Sequence, residues 1–200
     1  MYLAAAGVGC LRLCDMGEPE LSNLNRQILH TDEDIGKKKV LSAKETLSKV
    51  NPHVSIVTLT EIIDQQSIAD LVGDAQIIID CLDNFETRYV VNDYAVKTGL
   101  PFIHAGVHGM SGQMTFIHSP ETPCLRCIFP TAAPAEVFPV VGATPGVIGA
   151  LEALEALKYL IGKEDLCVKN RLLIWEGDIG SFEEIAIEKV PSCPVCGENA

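Results

Sequence analysis

Basic residues are scarce in this sequence. Its 15 Lys and Arg stand against 27 Asp and Glu, which gives a formal net charge of −12. A surface that binds nucleic acid non-specifically needs a basic face to neutralise phosphates, so this charge argues against nucleic acid as a partner. A basic or flexible protein partner fits the charge better.

Long apolar runs are scarce as well. The longest candidate, residues 145–161, contains Glu152, Glu155 and Lys158, whereas a membrane-spanning helix needs about 20 predominantly apolar residues. Residues 1–9 lack the basic start and the cleavage pattern of a secretory leader. We therefore expect no membrane span and a cytoplasmic location.

A glycine-rich phosphate turn is the third feature that the sequence lacks. A doubly wound nucleotide-binding fold opens with a strand and such a turn, which leads into the first helix. Residues 2–9, YLAAAGVG, instead resemble the end of a helix with glycines that stop it. We expect the first strand and the turn to be missing from the N-terminus of this chain.

The remaining sequence alternates short β-branched runs with longer amphipathic segments, which is typical of a parallel sheet covered by helices. Strands are predicted at 11–15, 54–59, 76–81, 102–105 and 114–118, followed by an antiparallel pair at 171–175 and 182–187. Helices are predicted at 35–50, 65–72, 85–98 and 146–161. The expected fold class is α/β, Rossmann-like and doubly wound, with a mostly parallel sheet and antiparallel C-terminal strands.

Four of the eight cysteines form two Cys-x-x-Cys pairs, Cys124 with Cys127 and Cys193 with Cys196. Together they supply the four thiolates of a tetrahedral zinc site, and Gly197 permits the tight turn of the second pair. A closed four-sulfur shell leaves no open position for a substrate, so the predicted site is structural. The alternative is two redox-active or disulfide pairs, which a reducing compartment disfavours.

Several polar motifs follow one another in a characteristic order. Asp15 ends a predicted strand, LSNLNRQ occupies 21–27, GKKK occupies 36–39 and DCLDN occupies 80–84. In this order and spacing, and together with the cysteine pairs, the motifs resemble the ThiF/MoeB/HesA family of ubiquitin-activating-type adenylating enzymes over nearly the whole chain. The resemblance implies a single adenylation domain over residues 1–200, truncated at its N-terminus and therefore weakened in ATP binding.

The resemblance also implies roles for individual residues. Asp15 would hold the ATP ribose, and Asp83 would bind the magnesium ion that accompanies ATP. Arg26 and Lys39 would contact the phosphates and, with Asp83, carry the catalysis. The implied nucleotide-binding set is Asp15, Ser22, Asn23, Arg26, Lys39, Asp83 and Asn84.

Simpler explanations exist for the same residues. Arg26 and Lys39, taken alone, would be solvated surface charges, and only their register with the other motifs favours the functional interpretation. Asp83 or Asn84 would also suit the cap of the helix that begins at Phe85, and capping and metal binding are compatible. Arg88 is expected to form a salt bridge on the helix face.

The implied activity is ATP-dependent adenylation of the C-terminal carboxylate of a small ubiquitin-like sulfur-carrier protein with a Gly-Gly terminus. The cofactors would be structural Zn²⁺, ATP and Mg²⁺, and the apolar helix at 146–161 would contribute to a homodimer. Two alternatives remain. One is a non-catalytic subunit that binds a ubiquitin-like protein, and the other is a dinucleotide-dependent oxidoreductase, for which no catalytic signature is found.

A proline-rich segment at 128–145 is too long for an ordinary connection and is expected to be a functional loop. It contains no cysteine, so we expect no covalent intermediate on it. Among the other thiols, Cys10, Cys14 and Cys81 are expected to be buried in the sheet region. Cys167 is expected to be exposed.

Overall fold

The computed structural model describes residues 1–132 and 139–198. Residues 133–138 of the predicted functional loop therefore lie outside the described residues. The chain divides into two compact units, Met1–Gly73 and Asp74–Ala200. Each unit has its own sheet, so the single domain over residues 1–200 stays a prediction.

The first unit combines two parallel strands with three helices. The helices are α1 (Tyr2–Ala5), α2 (Lys39–Val50) and α3 (Ile68–Val72), and the strands are β1 (Cys10–Cys14) and β2 (Ser55–Leu59). The two strands pair in register from Cys10 opposite Ser55 to Cys14 opposite Leu59. The core of this unit lies between the strands, α1 and α2 and is formed by Ala4, Leu47, Val54 and Ile56.

The second unit is built on a five-stranded sheet in the order β3-β4-β5-β6-β7. Its strands are β3 (Ile78–Ile79), β4 (Phe102–His108), β5 (Ser111–Ile117), β6 (Arg171–Glu176) and β7 (Ser181–Ala186). Its helices are α4 (Phe85–Thr98), α5 (Leu125–Ile128) and α6 (Ala143–Leu160). The β3–β4 pair is parallel, and the other three pairs are antiparallel.

The core of the second unit lies between α6 and the β4–β5 hairpin. Ala105, Met114, Ile148 and Val168 form its central cluster. Gly112 is required here, because a Cβ atom at this position would lie 2.4 Å from Cγ1 of Ile148. The helix can therefore approach the hairpin closely.

The predicted α/β class with antiparallel C-terminal strands is confirmed. Antiparallel pairing begins earlier than expected, because the predicted strands at 102–105 and 114–118 are longer and form one hairpin. Helix α2 begins at Lys39 rather than at residue 35, since Gly36 has a φ of 86°. The predicted strand at 76–81 is regular only over Ile78–Ile79.

The length and apolarity of the helices bear on membrane insertion. Within residues 1–132 and 139–198, no helix has both the length and the apolar character needed to cross a bilayer.

Candidate functional site

Asp15 lies directly after β1, beside the first residue of α2. Its Oδ2 atom is 3.8 Å from Nζ of Lys39, and its Oδ1 atom accepts a 2.7 Å hydrogen bond from the Gly17 amide. The Lys39 amide donates to the Gly17 carbonyl at 3.0 Å, so the backbone holds the two side chains near each other. The Lys39 ammonium adds to the positive end of the α2 dipole, which makes this place attractive to an anion.

An open groove of about 610 Å³ lies next to this pair. Its lining comes from residues 16–21 together with Ile35, Gly36 and Lys38. Lys38 is anchored there by ion pairing with Glu18 at 3.1 Å. Asp15 and Lys39 do not line the groove themselves, but their chain neighbours Met16 and Lys38 do.

Ser22, Asn23 and Arg26 come together in one turn. Asn23 Oδ1 accepts from the Glu20 amide at 3.2 Å, and Arg26 Nη1 donates to the Ser22 carbonyl at 3.0 Å and to Asn25 Oδ1 at 2.9 Å. Within the described residues, the hydrogen bonds of the Arg26 guanidinium all come from Nη1. Nε and Nη2 remain available to phosphate oxygens.

Asp83 and Asn84 lie in the second unit, between β3 and α4. Asn84 caps the helix, because its Oδ1 atom accepts from the Thr87 amide at 2.8 Å. Its Nδ2 atom donates to Oδ1 of Asp83 at 3.2 Å. Both residues are exposed, so Asn84 performs the capping while the Asp83 carboxylate faces solvent and can accept a metal ion.

A buried polar cluster that was not predicted from the sequence lies behind this turn. Arg88 was expected on the helix face, but its Nε atom donates to Oδ2 of buried Asp80 at 2.9 Å. His104 Nδ1 lies 2.7 Å from the same oxygen. Burial lowers the pKa of His104, so the neutral ring donates its Nδ1 proton to Asp80.

Glu152 of α6 adds a second carboxyl group to this environment. Burial, followed by the negative charge of Asp80, raises its pKa well above the usual value, against the opposing charge of Arg88. Its Oε1 atom and Nε2 of His104 are buried without a hydrogen-bond partner among the described residues. One signal for this cluster was available, because Asp80 and His104 directly follow apolar residues of predicted strands.

The four cysteines of the two Cys-x-x-Cys pairs converge. All four Sγ atoms lie within 4.8 Å of one another, and the Cys124–Cys193 and Cys127–Cys196 distances are 3.7 and 3.4 Å. A tetrahedral shell with sulfurs about 2.3 Å from its metal has S–S edges of about 3.8 Å, which matches these distances. All eight cysteines are free thiols, so the predicted metal-ligand set is present and the disulfide alternative is not observed.

The thiols of this cluster differ in acidity. Burial raises the pKa of Cys124, and it raises that of Cys196 to about 11. Burial also acts on Cys193, but hydrogen bonds from the amides of Cys196 and Val195 and from neighbouring thiols lower its pKa to about 7. Because metals bind thiolates, occupation of the cluster would release protons.

The first cysteine pair is docked on α4. The Leu125 amide donates to Oδ1 of buried Asn92 at 2.8 Å. Arg126 donates from Nε and Nη2 to the two carboxylate oxygens of Asp93, at 3.0 Å each, and stacks over the Tyr89 ring at 4.1 Å. Helix α4 therefore carries the Asp83–Asn84 turn at its N-terminus and the cysteine cluster along its side.

The second pair closes on itself through Gly197. The Gly197 amide donates to the Cys193 carbonyl at 3.0 Å. A Cβ atom at this position would lie 2.5 Å from the carbonyl oxygens of Cys193 and Pro191. The expected need for glycine after the second pair is confirmed.

The other thiols are not distributed as predicted. Cys10 and Cys81 are exposed and Cys14 is half-buried, whereas Cys167 is only 4% exposed. The predicted burial of Cys10 and the predicted exposure of Cys167 are therefore wrong, and the burial predicted for Cys14 is only partial. Residue Cys81 is exposed, yet its thiol is enclosed, and burial raises the pKa of this thiol to about 12. Cys167 packs beneath α6, where its Sγ lies 3.7 Å from the Glu155 carbonyl, and burial raises its pKa to about 11.

Three kinds of similarity to known proteins agree with this arrangement. The ThiF family model matches residues 1–195. The SAMP-activating enzyme E1 of Haloferax volcanii is 36% identical over 99% of this chain and 75% of its own length. The sulfur carrier protein adenylyltransferase of Thermus thermophilus is also 36% identical, over 99% of this chain and 77% of its own length.

Among solved structures, E. coli MccB crystallised with ATP superimposes with a TM-score of 0.83 at 26% identity. The match covers 98% of this chain and 61% of that chain. The family model and the two relatives cover the motifs in both units. The chain therefore belongs to the ThiF family.

Proposed function

We propose that this protein catalyses ATP-dependent adenylation of the C-terminal carboxylate of a small ubiquitin-like sulfur-carrier protein. The observation that carries the proposal is the match of nearly the whole chain to relatives named as a SAMP-activating enzyme and a sulfur carrier protein adenylyltransferase. The products are an acyl-adenylate and pyrophosphate. The carrier carboxylate attacks the α-phosphorus of ATP, and the bond to the pyrophosphate oxygen breaks.

For this reaction the protein mainly has to align the reactants and to neutralise phosphate charge. Arg26 and Lys39 supply that charge from the first unit, with Ser22 and Asn23 beside Arg26. The 3.8 Å separation of Lys39 from Asp15 leaves the ammonium loosely held, which suits a residue that must turn towards phosphate. The Asp15 carboxylate then hydrogen-bonds the ribose hydroxyls.

Asp83 and Asn84 supply the polar end of the β3–α4 turn. Mg²⁺ is commonly bound by one or two carboxylates plus substrate phosphates, and the exposed Asp83 carboxylate fits that need. When bound, the ion neutralises charge on the departing pyrophosphate. Asn84 keeps Asp83 in place through its hydrogen bond and its cap of α4.

The four-cysteine cluster holds a structural Zn²⁺ ion in this proposal. Its sulfurs form a closed set of the ligand type that zinc prefers, and no sulfur is left for chemistry. The loop at 128–145 contains no cysteine, and Cys167, the thiol that was expected to be exposed, is buried. The reaction accordingly ends at the free acyl-adenylate, and a separate donor supplies sulfur or amine.

The proposal is tested by ATP–pyrophosphate exchange with a glycine-terminated carrier. Asp83→Asn should abolish exchange and leave the thermal unfolding midpoint unchanged, because the exposed carboxylate contributes charge to the site but does not pack against other residues. Arg26→Ala and Lys39→Ala should each slow exchange on the order of 100-fold, the usual loss for one charge contact to the transition state.

Two exposed residues provide matched controls. Glu86→Gln removes a carboxylate from the first turn of the same helix, and Lys49→Ala removes an ammonium from the last turn of α2. Both should exchange like the unmodified protein. Normal exchange by Asp83→Asn at limiting magnesium would contradict the assignment.

A further inference from the structure

Arg88 is a cation enclosed in the second unit. Its side chain is 10% exposed and that of its partner Asp80 is 0% exposed. A buried ion pair adds little to stability compared with apolar residues of the same volume, because both ions must be desolvated. The pair therefore needs another explanation.

The guanidinium contacts three residues on two separate pieces of chain. Nε donates to Oδ2 of Asp80 at 2.9 Å, and Nη2 donates to the carbonyls of Leu82 and, at 3.0 Å, of Ala105. Ala105 belongs to β4, and Asp80 and Leu82 belong to the segment between β3 and α4. A single planar group thus ties the turn to the neighbouring strand.

Both peptide groups of Leu82 are fixed by this cluster. Its carbonyl accepts from Arg88, and its amide donates to Oδ1 of Asp80 at 2.9 Å. Asp80 is itself oriented by His104 at 2.7 Å. The residue immediately after Leu82 is Asp83, and the next, Asn84, is fixed as the helix cap.

Asp83 consequently lies between two immobilised neighbours, although its own side chain is exposed. Mg²⁺ demands near-ideal octahedral geometry, so the position of a carboxylate ligand matters more than its mere presence. Groups that orient a metal ligand commonly change metal affinity or activity by about 10- to 100-fold when they are altered. The contacts of Arg88 are of this kind.

We propose that Arg88 is a positioning residue, which sets the Asp83 carboxylate for magnesium–nucleotide binding by holding Leu82 against Asp80 and β4. The inference rests on the proposed function, because it takes Asp83 to be the magnesium ligand. Lysine cannot replace Arg88 in this role. A lysine ammonium is a compact point donor without the planar fork of a guanidinium. It therefore cannot bond at once to the acceptor on β4 and to the two acceptors on the turn.

The test uses the zinc-loaded protein. Exchange is measured against magnesium concentration for Arg88→Lys and for the double variant Asp80→Asn/Arg88→Gln, which removes both buried charges together and leaves none unpaired. The half-saturating magnesium concentration should rise by about 10-fold or more, while exchange at saturating magnesium recovers to within about 3-fold of the unmodified protein.

Arg12→Lys is the matched control. Arg12 also donates to two backbone carbonyls, of Leu71 and Asp70, but in the first unit. Its loss should leave the magnesium dependence unchanged. Binding of Mn²⁺ with ATP, followed by electron paramagnetic resonance, gives a second reading of metal affinity that does not require turnover.

The outcomes separate the inference from the proposed function. If the unmodified protein exchanges, Asp83→Asn abolishes exchange and both Arg88 variants keep the normal magnesium dependence, the Arg88 role is wrong and the function stands. If the unmodified protein neither exchanges nor binds Mn²⁺ with ATP, the function fails and this inference fails with it. A lower unfolding temperature with unchanged magnesium dependence also overturns it, since that is the result of a purely structural role.

Discussion

Glu152 illustrates at the residue scale how burial governs protonation. It is 6% exposed, and one of its carboxyl oxygens has no partner among the described residues. Its pKa in the folded protein lies well above the 4.5 of an exposed glutamate, so folding takes up a proton. The stability that depends on this proton is present below about pH 4.5 and is lost as the pH rises through the folded pKa.

Glu152→Gln should therefore become more stable than the unmodified protein as the pH rises. The gap between their free energies of unfolding should widen by up to about 1.4 kcal/mol per pH unit until the folded pKa is passed. Denaturant unfolding at pH 5.5, 6.5 and 7.5 with excess zinc measures this gap. The exposed Glu86→Gln variant should show none, and a gap that is constant or shrinks with pH would contradict the burial argument.

The candidate site was accessible from the sequence to different degrees. Cys124, Cys127, Cys193 and Cys196 could be grouped because their spacing alone defines a ligand set. Arg88 could not be placed correctly, since an arginine on a helix is usually solvated. It is buried here because the fold brings its side chain against Asp80. The exposure of Cys10 was mispredicted for the converse reason, because an apolar residue type does not reveal whether a neighbour covers it.

Helix α4 connects the Asp83–Asn84 turn with the four-cysteine cluster in the second unit. It begins with the Asn84 cap and ends where Gly99 takes a left-handed φ of 69°. Between these ends Asn92 and Asp93 hold the first cysteine pair. Phe129, which follows α5, packs on Phe85 with ring centroids 5.5 Å apart, so loss of the metal would disturb the start of the helix as well.

Cys196→Ser should accordingly reduce both metal content and stability. One thiolate of four is lost, and the two Cys-x-x-Cys turns are no longer tied together. Elemental analysis should show less than one zinc per chain, and the thermal unfolding midpoint should fall by several degrees. Cys10→Ser, at an exposed thiol, should change neither quantity.

Full stability in metal-free protein would contradict the structural role of zinc. A fall in the unfolding midpoint of Cys196→Ser with zinc still bound at one per chain would place the metal elsewhere.

The bounds of helices and strands were predicted well where residues within or next to the element determine where it begins and ends. Helix α4 matched residue for residue at 85–98, because a cap and a glycine stop bound it. The β4–β5 hairpin was underestimated because Gly106 and Gly112 interrupt the β-branched pattern. Tertiary packing against Ile148 explains the glycine at position 112. The start of α2 was missed because Gly36, with a left-handed φ of 86°, lies within the expected first helical turn, so the helix begins only at Lys39.

A homodimer would form through the face of α6 that does not pack on the sheet. One face of α6 packs on β4 and β5, while Leu154 on the helix and Ile161 just after it are 50% and 69% exposed. Val147 lies on the same side, two turns before Leu154. Exposed apolar residues at helical spacing support the proposed homodimer.

Leu154→Lys should weaken that dimer. Placing a charge in an apolar interface leaves it desolvated without a partner, so light scattering at micromolar concentration should shift from dimer towards monomer. Ile179→Lys is the control, since Ile179 is 76% exposed in the β6–β7 turn. A strict monomer before any substitution, or a dimer unaffected by Leu154→Lys, would remove α6 as the interface.

The complete protein is proposed to activate a carrier protein by adenylation. The most direct measurement is incorporation of labelled pyrophosphate into ATP by the zinc-loaded protein. Each small ubiquitin-like protein of the same genome is supplied intact or without its terminal glycine. We predict magnesium-dependent exchange with at least one intact carrier and no exchange with its shortened form. A carrier that binds without supporting exchange would instead identify a non-catalytic binding subunit and contradict the proposed adenylation.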